Sequence, residues 1–277
     1  MNAPTLDACL SAAAVARAYR ELKTDPAPWR PHQPRALFEQ RGLELVLELV
    51  AELRANRYRA DAMQHFSIAK ADGSRRMLSA LCKRDKFAQK FVAIGLESAC
   101  EQLFHHDSFG YRPGRNVQQA LSRSRERLRM GLNWLVDADI QAFFDSIPHG
   151  PLMDCFRAFN KDPALNRLIE QWLSIGTYTR SFLDGARGIP QGAVVSPLLC
   201  NLYLHRFDQA LSKAGLPFVR YADDFLIFAP DQASAERAQI FAGRALGKLK
   251  LDLKAEKTRV VKASPQVRFL GEILGTG

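Results

Sequence analysis

Two apolar runs, Phe218-Val219-Arg220-Tyr221 and Phe225-Leu226-Ile227-Phe228, are separated only by Ala222-Asp223-Asp224. Short β-rich runs joined by so brief a link fold as strand, turn and strand. Two adjacent carboxylates are therefore committed to the tip of an apolar hairpin. Close carboxylates repel, and the flanking strands withdraw the water that would screen them. A divalent cation removes the conflict, because hard ions such as Mg²⁺ take carboxylate oxygens together with substrate phosphates. An Asp-Asp doublet is also a common solvated turn, so a third ligand has to decide between the two. Trp134 to Ile140 offers one: its alternation predicts a strand with Asp137 and Asp139 on one face. If the two strands are sheet neighbours, Asp139, Asp223 and Asp224 converge. Two ions roughly 3.5–4 Å apart could then support in-line phosphoryl transfer.

Charge names the class of partner. With 39 Lys and Arg against 29 Asp and Glu the chain carries +10, which favours a polyanion such as nucleic acid. Apolar residues at 47% and charged residues at 25% exclude a disordered tail, a collagen-like repeat and a disulfide miniprotein. The 277 residues amount to two domains at about 150 residues each. Cys9, Cys82, Cys100, Cys155 and Cys200 are widely spaced with no Cys-x-x-Cys pair, so buried thiols are expected in place of disulfides or zinc. No run approaches the ~18 apolar residues of a membrane span. The Ala-rich stretch from Leu10 to Ala18 lacks a basic flank and reads as a helix, not a secretory signal. A cytoplasmic protein without membrane partners is expected.

Periodicity places the rest of the chain. A Pro-rich linker (Pro26, Pro28, Pro31, Pro34) precedes a helix over Leu37 to Leu53. His65 to Lys70 and Arg76 to Leu81 flank Ala-Asp-Gly-Ser as a hairpin. Helices are predicted over Lys83–Leu103, Asn116–Met130, Pro163–Ile175, Ser196–Leu211 and Ser234–Leu249. Strands are predicted near Tyr178–Phe182, Arg259–Val261 and Arg268–Leu274. Such a mixture without repeats is an α+β chain. Two tempting motifs are set aside. His105-His106-Asp107 lacks a partner at metal-ligand spacing, and Gly243 to Lys248 is one residue short of a phosphate loop and falls late in a helix.

The motifs together resemble a reverse transcriptase of the group II intron-like kind. Tyr221-Ala222-Asp223-Asp224 resembles that family's catalytic hairpin, and Asp139 to Asp145 its first carboxylate motif. Arg187-Gly188-Ile189-Pro190-Gln191-Gly192, continuing to Ser196-Pro197-Leu198-Leu199, is similar to the segment that holds template and incoming nucleotide. Phe109-Gly110-Tyr111-Arg112-Pro113-Gly114-Arg115 resembles a fingers motif. Leu251 to Thr258 and Phe269-Leu270-Gly271 resemble the two closing palm motifs. The order matches over about residues 65–275.

The resemblance implies a right-hand polymerase palm and fingers that copies RNA, and DNA also, into DNA from dNTPs. It implies an N-terminal helical extension over 1–60, fingers with part of the palm over 61–132, and palm over 133–277. Asp139, Asp223 and Asp224, with the Ile140 carbonyl, would hold two Mg²⁺ ions, for which Mn²⁺ can substitute. Asp137 and Asp145 are supports and not ligands. Lys257 would donate a proton to pyrophosphate. Phe144 would be the steric gate under the sugar, Lys70, Arg75 and Arg76 would grip the triphosphate, and Gln191 and Gly192 would meet the nucleotide. Arg112, Arg115 and Tyr221 would contact the RNA template and the DNA or RNA primer.

Departures narrow the resemblance. The Gly- and Asp-rich loop usual ahead of the fingers hairpin is replaced by the Pro-rich stretch, and the sequence runs six residues past Phe269-Leu270-Gly271, so a thumb is expected to be absent. The Gln191-Gly192 and Ser196-Pro197 pattern argues against the diversity-generating and retron branches. Among group II-like relatives the CRISPR-associated, antiviral branch is the best fit, and for want of a thumb an adaptation integrase or another protein is expected to supply the clamp. Alternatives are an inactive palm-fold RNA-binding scaffold and another palm-type nucleotidyl transferase.

Overall fold

The computed structural model describes residues 3–69, 75–176, 179–181 and 185–274, of which 75–77 and 179–181 are described by backbone alone. In chain order the described elements begin with helices α1 (Leu6–Cys9), α2 (Ala12–Leu22) and α3 (Ala36–Arg54). Strands β1 (Gln64–Ala69) and β2 (Arg75–Ala80), helices α4 (Lys83–Leu103) and α5 (Val117–Arg129), and strand β3 (Trp134–Ala138) follow. Next are helices α6 (Phe143–Ser146), α7 (His149–Phe159) and α8 (Pro163–Ile175), strands β4 (Thr179–Ser181) and β5 (Gly185–Arg187), and helix α9 (Ser196–Lys213). Strands β6 (Phe218–Tyr221) and β7 (Asp224–Ala229), helix α10 (Gln232–Lys248), and strands β8 (Arg259–Lys262), β9 (Arg268–Phe269) and β10 (Glu272–Ile273) complete the chain. Helices and antiparallel strands are mixed, as the α+β reading expects.

Helix starts follow local chemistry. Asn116 and Gln119 exchange side-chain-to-backbone bonds in a capping box at the head of α5. Asp162 caps α8 ahead of Pro163, whose missing N–H costs nothing at a first helical position. The Asp231 carboxylate accepts from the Ser234 N–H at 2.7 Å to start α10.

Two compact units form, Met1–Gln102 with Pro148–Leu199, and Leu103–Ile147 with Cys200–Gly277. In the first, Trp29, Phe38 and Phe87 stack with ring centroids 5.6 and 5.7 Å apart. Strands β1 and β2 pair antiparallel there, with Ile68 opposite Arg76 and Ala69 opposite Arg75.

The second unit is built on an antiparallel sheet of order β6-β7-β3-β8. Leu135, Val219, Leu226 and Phe228 share one face and pack with Ala120, Leu121 and Leu128 of α5. On the opposite face Phe225 meets Phe207 of α9 edge-on at 5.1 Å. Helix α10 packs on β3, β7 and β8 through Ala235, Ala238, Ala242 and Ala245, whose small side chains allow close approach.

Some local expectations change. Helix α7 and strand β5 were not anticipated. The single strand expected over Arg268–Leu274 is a small hairpin, because Leu270 and Gly271 both have positive φ (53° and 84°) and turn the chain between β9 and β10. All five cysteines are buried and free. No described helix is long and apolar enough to cross a membrane.

Candidate active site

Strand register brings the carboxylates together. Ala138 at the end of β3 lies opposite Phe225 of β7, so the next antiparallel position sets Asp139 against Asp224. Tyr221 pairs with Asp224 across the turn, leaving Ala222 and Asp223 at its tip. Ala222 has φ of 59°, the left-handed region expected in a two-residue hairpin but costly for a residue with a Cβ.

A strap of chain from beyond α10 completes the group. Lys254 N–H donates to the Asp139 carbonyl at 2.8 Å, Gln141 N–H donates to the Asp252 carbonyl at 2.9 Å, and the buried Ile140 bridges Leu253 between them. The strap turns at once, with Lys257 N–H on the Lys254 carbonyl at 3.0 Å. That turn delivers Lys257 Nζ to Asp139 Oδ2 at 2.7 Å. Asp137, one pleat back, accepts from Arg259 Nε and Nη2 at 2.9 and 2.7 Å.

The electrostatics are those of crowded carboxylates. Burial first, and then the charge of Asp139, pushes the Asp223 carboxyl above its ordinary range. Burial, followed by Asp139 and Asp223, pushes Asp224 up to about 6. The hydrogen bond to Asp139 raises the Lys257 ammonium, so it stays protonated at neutral pH. Asp139 Oδ1 is buried without a hydrogen-bond partner. An orphaned carboxylate oxygen beside two carboxyls in need of positive charge is what a hard cation satisfies, so these residues fit a divalent metal.

Among the described residues, the groups of three potential ligands that close within 4.8 Å are His105-His106-Asp107 and Asp61-Cys82-Asp85, not the three aspartates. Both are otherwise engaged. Asp107 accepts from Arg123 at 2.6 Å and Arg127 at 2.8 Å, while Asp85 accepts from the Tyr58 hydroxyl at 2.7 Å and the Asp61 N–H at 2.8 Å.

Phe144 is half-buried and stands edge-on to Tyr111 (6.3 Å, 81°) and Phe143 (5.7 Å, 71°), a ring held by two rings. Tyr221 is half-buried against the α5 side of the sheet. Arg115 lies over the Phe109 ring at 5.3 Å and donates to the His106 carbonyl at 2.9 Å. Arg112 is buried and donates to the Ser108 and His105 carbonyls at 2.6 and 2.7 Å, so the geometry gives it the task of holding its own loop.

In the other unit the Gln191-Gly192 turn lies against β2. Ser79 N–H donates to the Gln191 carbonyl at 2.8 Å, and Gly192 has φ of 105° with the Ser79 carbonyl where a Cβ would sit, 2.6 Å away. Only glycine satisfies both demands. His149 and Ser196 tie the same loop at the Gly188 and Pro190 carbonyls, at 2.7 and 2.8 Å. Arg75 and Arg76 have their backbones in β2, and Lys70 lies outside the described residues. Sequence reasoning missed His149, Ser79 and the buried group around Arg220. The visible signal for the last was a charged residue inside the apolar run Phe218 to Tyr221.

Several known proteins are similar to this chain. Group II intron-encoded protein LtrA of Lactococcus lactis is 26% identical over 298 residues, covering 82% of this chain and 49% of that protein. Among solved structures, a chain of the partial Cas6-RT-Cas1–Cas2 complex is 26% identical with a TM-score of 0.48, covering 87% of this chain and 42% of that one. Telomerase from Candida albicans, solved with a TWJ fragment of telomeric RNA, is 14% identical with a TM-score of 0.55, a likeness of fold over 86% of this chain and 50% of that one. The chain thus spans half or less of the length of each of these proteins. The family model described as reverse transcriptase (RNA-dependent DNA polymerase) matches residues 68–274, and the chain belongs to that family.

Proposed function

We propose that the chain is an RNA-directed DNA polymerase that extends a DNA or RNA primer on an RNA template, with DNA accepted as template also. The observation that carries this reading is the meeting of Asp139, Asp223 and Asp224 at one end of the sheet, with Asp139 Oδ1 unpaired and Lys257 alongside. Asp139, Asp223 and Asp224, with the Ile140 carbonyl, would hold two Mg²⁺ ions, and Mn²⁺ would substitute. The bound ions would supply positive charge to the primer 3′-hydroxyl and the triphosphate.

In the transfer, the primer 3′-hydroxyl gives up its proton to solvent, its oxygen bonds to the α-phosphorus of a dNTP, the bond from that phosphorus to the bridging oxygen breaks, and pyrophosphate leaves. Lys257, its ammonium sustained by Asp139, donates the proton that the leaving group takes up. Phe144, braced by Tyr111 and Phe143, occupies the space a ribose 2′-hydroxyl would need. Gln191 and Gly192 present backbone and amide to the nucleotide, and Lys70, Arg75 and Arg76 bind the triphosphate by charge and guanidinium fork. Arg115 and Tyr221 face nucleic acid, with Arg112 shaping the loop that carries Arg115.

Residues 61–132 are read as fingers with part of the palm, and residues 133–277 as palm. A CRISPR adaptation integrase, or another protein that supplies a clamp, is the partner in this reading. An inactive scaffold would have no need of an unpaired Asp139 oxygen or of Lys257. Primer extension with the purified chain tests the proposal. DNA synthesis on an RNA template with Mg²⁺ or Mn²⁺, abolished by EDTA, is expected, and no synthesis with either ion on any primed RNA would refute it.

A further inference from the structure

Arg220 lies next to the last residue of β6, the strand that leads into the carboxylate turn, and its side chain is wholly buried, as is that of Asp208 on α9. A buried guanidinium is tolerated only when its donors are met. Here Nε donates to Asp208 Oδ1 at 2.7 Å and Nη2 to Asp208 Oδ2 at 2.6 Å, a two-pronged pairing. The remaining nitrogen, Nη1, donates to Asn201 Oδ1 at 3.0 Å and to the Ala222 carbonyl at 2.9 Å. Asn201 and Asp208 stand seven residues apart, two turns along α9, and therefore on one face. The Asn201 amide is itself oriented, since its Nδ2 donates to the Gly110 carbonyl at 2.8 Å.

The backbone around Arg220 is equally constrained. Its N–H donates to the Asp107 carbonyl at 2.9 Å, and its carbonyl accepts from the Phe109 N–H at 2.8 Å. Gly110 packs so closely that a Cβ there would lie 2.4 Å from the Ala222 nitrogen. Stability does not account for the arrangement, because a well-packed apolar pair of similar volume is often as stable as a buried ion pair, or more so. The one bond that Arg220 sends toward the carboxylates is the bond to the Ala222 carbonyl. That carbonyl belongs to the peptide plane joining Ala222 to Asp223.

We infer that the Arg220–Asp208 pair, oriented by Asn201, is a positioning device for the carboxylate turn. By fixing the peptide plane before Asp223 it holds a left-handed Ala222 in place and sets Asp223 and Asp224 against Asp139 before any substrate arrives. Arg220 and Asp208 touch no substrate and act through the backbone. The inference rests on the polymerase reading for the role of Asp223 and Asp224, but not for the clamp itself.

The informative variant is Arg220→Met combined with Asp208→Leu, which replaces the pair by apolar groups and removes the bond to Ala222. Three readouts are needed: thermal unfolding, Mn²⁺ binding to the protein alone by electron paramagnetic resonance, and kcat and KM for dTTP on primed RNA. The double variant is expected to unfold near the wild-type temperature, to bind Mn²⁺ about tenfold more weakly, and to lose about tenfold to a hundredfold in kcat with KM for dTTP little changed. Wild-type Mn²⁺ binding and kcat in the folded double variant would overturn the inference. If the double variant does not fold, Arg220→Lys keeps the charge against Asp208 without the fork. It is then expected to show the same two losses, and unchanged values would overturn the inference. A wild-type chain that binds Mn²⁺ but never polymerises would refute the polymerase reading alone, because the Mn²⁺ comparison between wild type and variants would still decide the clamp.

Discussion

Lys257 Nζ donates to Asp139 Oδ2 at 2.7 Å across 118 residues of chain, while the other oxygen of the same carboxylate, Oδ1, is buried with no partner. One oxygen is paired by the protein and the other is not. The lysine sits there because Asp252 to Lys254 pairs with the backbone beyond β3 and then turns.

Replacing Lys257 by Met should remove a general acid and leave the carboxylates more strongly in conflict. A fall in kcat of about a hundredfold is expected, with KM for dNTP changed far less. Single-turnover rates measured across pH should also lose the decline at high pH that deprotonation of the ammonium produces. A variant with the wild-type rate and pH profile would remove Lys257 from the chemistry.

The raised carboxyl of Asp224 makes stability depend on pH in a definite direction. Unfolded aspartate titrates near 3.9, whereas Asp224 holds its proton to about 6 because burial, Asp139 and Asp223 disfavour its charge. Between those values the native state binds more protons than the unfolded state, so stability falls as pH rises, and the penalty is complete above about 6. Asp224→Asn cannot ionise and escapes it. In thermal unfolding without divalent ions, the variant should match wild type near pH 4 and exceed it near pH 7 by about 1 kcal/mol, a figure reduced for partial exposure. A difference that does not change with pH would contradict the assignment.

How much of this was legible in sequence depends on how local the cause was. The hairpin carrying Asp223 and Asp224 was readable because two apolar runs and a short polar turn leave no alternative. Helices α4, α5, α8 and α10 follow from apolar spacing and caps, and Gly243 to Lys248 does lie within α10. Helix α7 was missed because His149-Gly150-Pro151 reads as a loop, although proline is tolerated in a first helical turn. The turn at Leu270-Gly271 was hidden inside a β-rich stretch, and only the positive φ values disclose it. Strand alternation put both Asp137 and Asp139 on one face, and the resemblance of Asp139 to Asp145 to the family's first carboxylate motif chose Asp139. Arg220, Asp208 and Asn201 escaped because their meaning depends on burial, and a lone charge in an apolar run does not say what it pairs with. Arg112 was read as a surface contact for the opposite reason, since nothing local says that its guanidinium turns inward to carbonyls.

Phe144 provides a test of sugar discrimination. Its ring is braced by Tyr111 and Phe143 and is not fully buried, so truncation should open space without collapsing the core. Phe144→Ala is expected to raise the ratio of ribonucleotide to deoxyribonucleotide kcat/KM by about tenfold to a hundredfold, the scale of a steric exclusion. Single-nucleotide incorporation measures it, and an unchanged ratio would make Phe144 a packing residue.

In the proposed mechanism Asp223 is one of three carboxylates that together hold the ions for DNA synthesis on RNA. Asp223→Asn keeps the size of the side chain and relieves repulsion, so the fold should survive or gain stability while the ligand is lost. The decisive measurement is the single-turnover rate of dNTP incorporation on primed RNA for Asp223→Asn beside wild type, with circular dichroism of both. Matching spectra are expected, with a rate lowered by about a thousandfold or more, consistent with loss of several kcal/mol of transition-state stabilisation. A folded variant that incorporates nucleotide at the wild-type rate would contradict it.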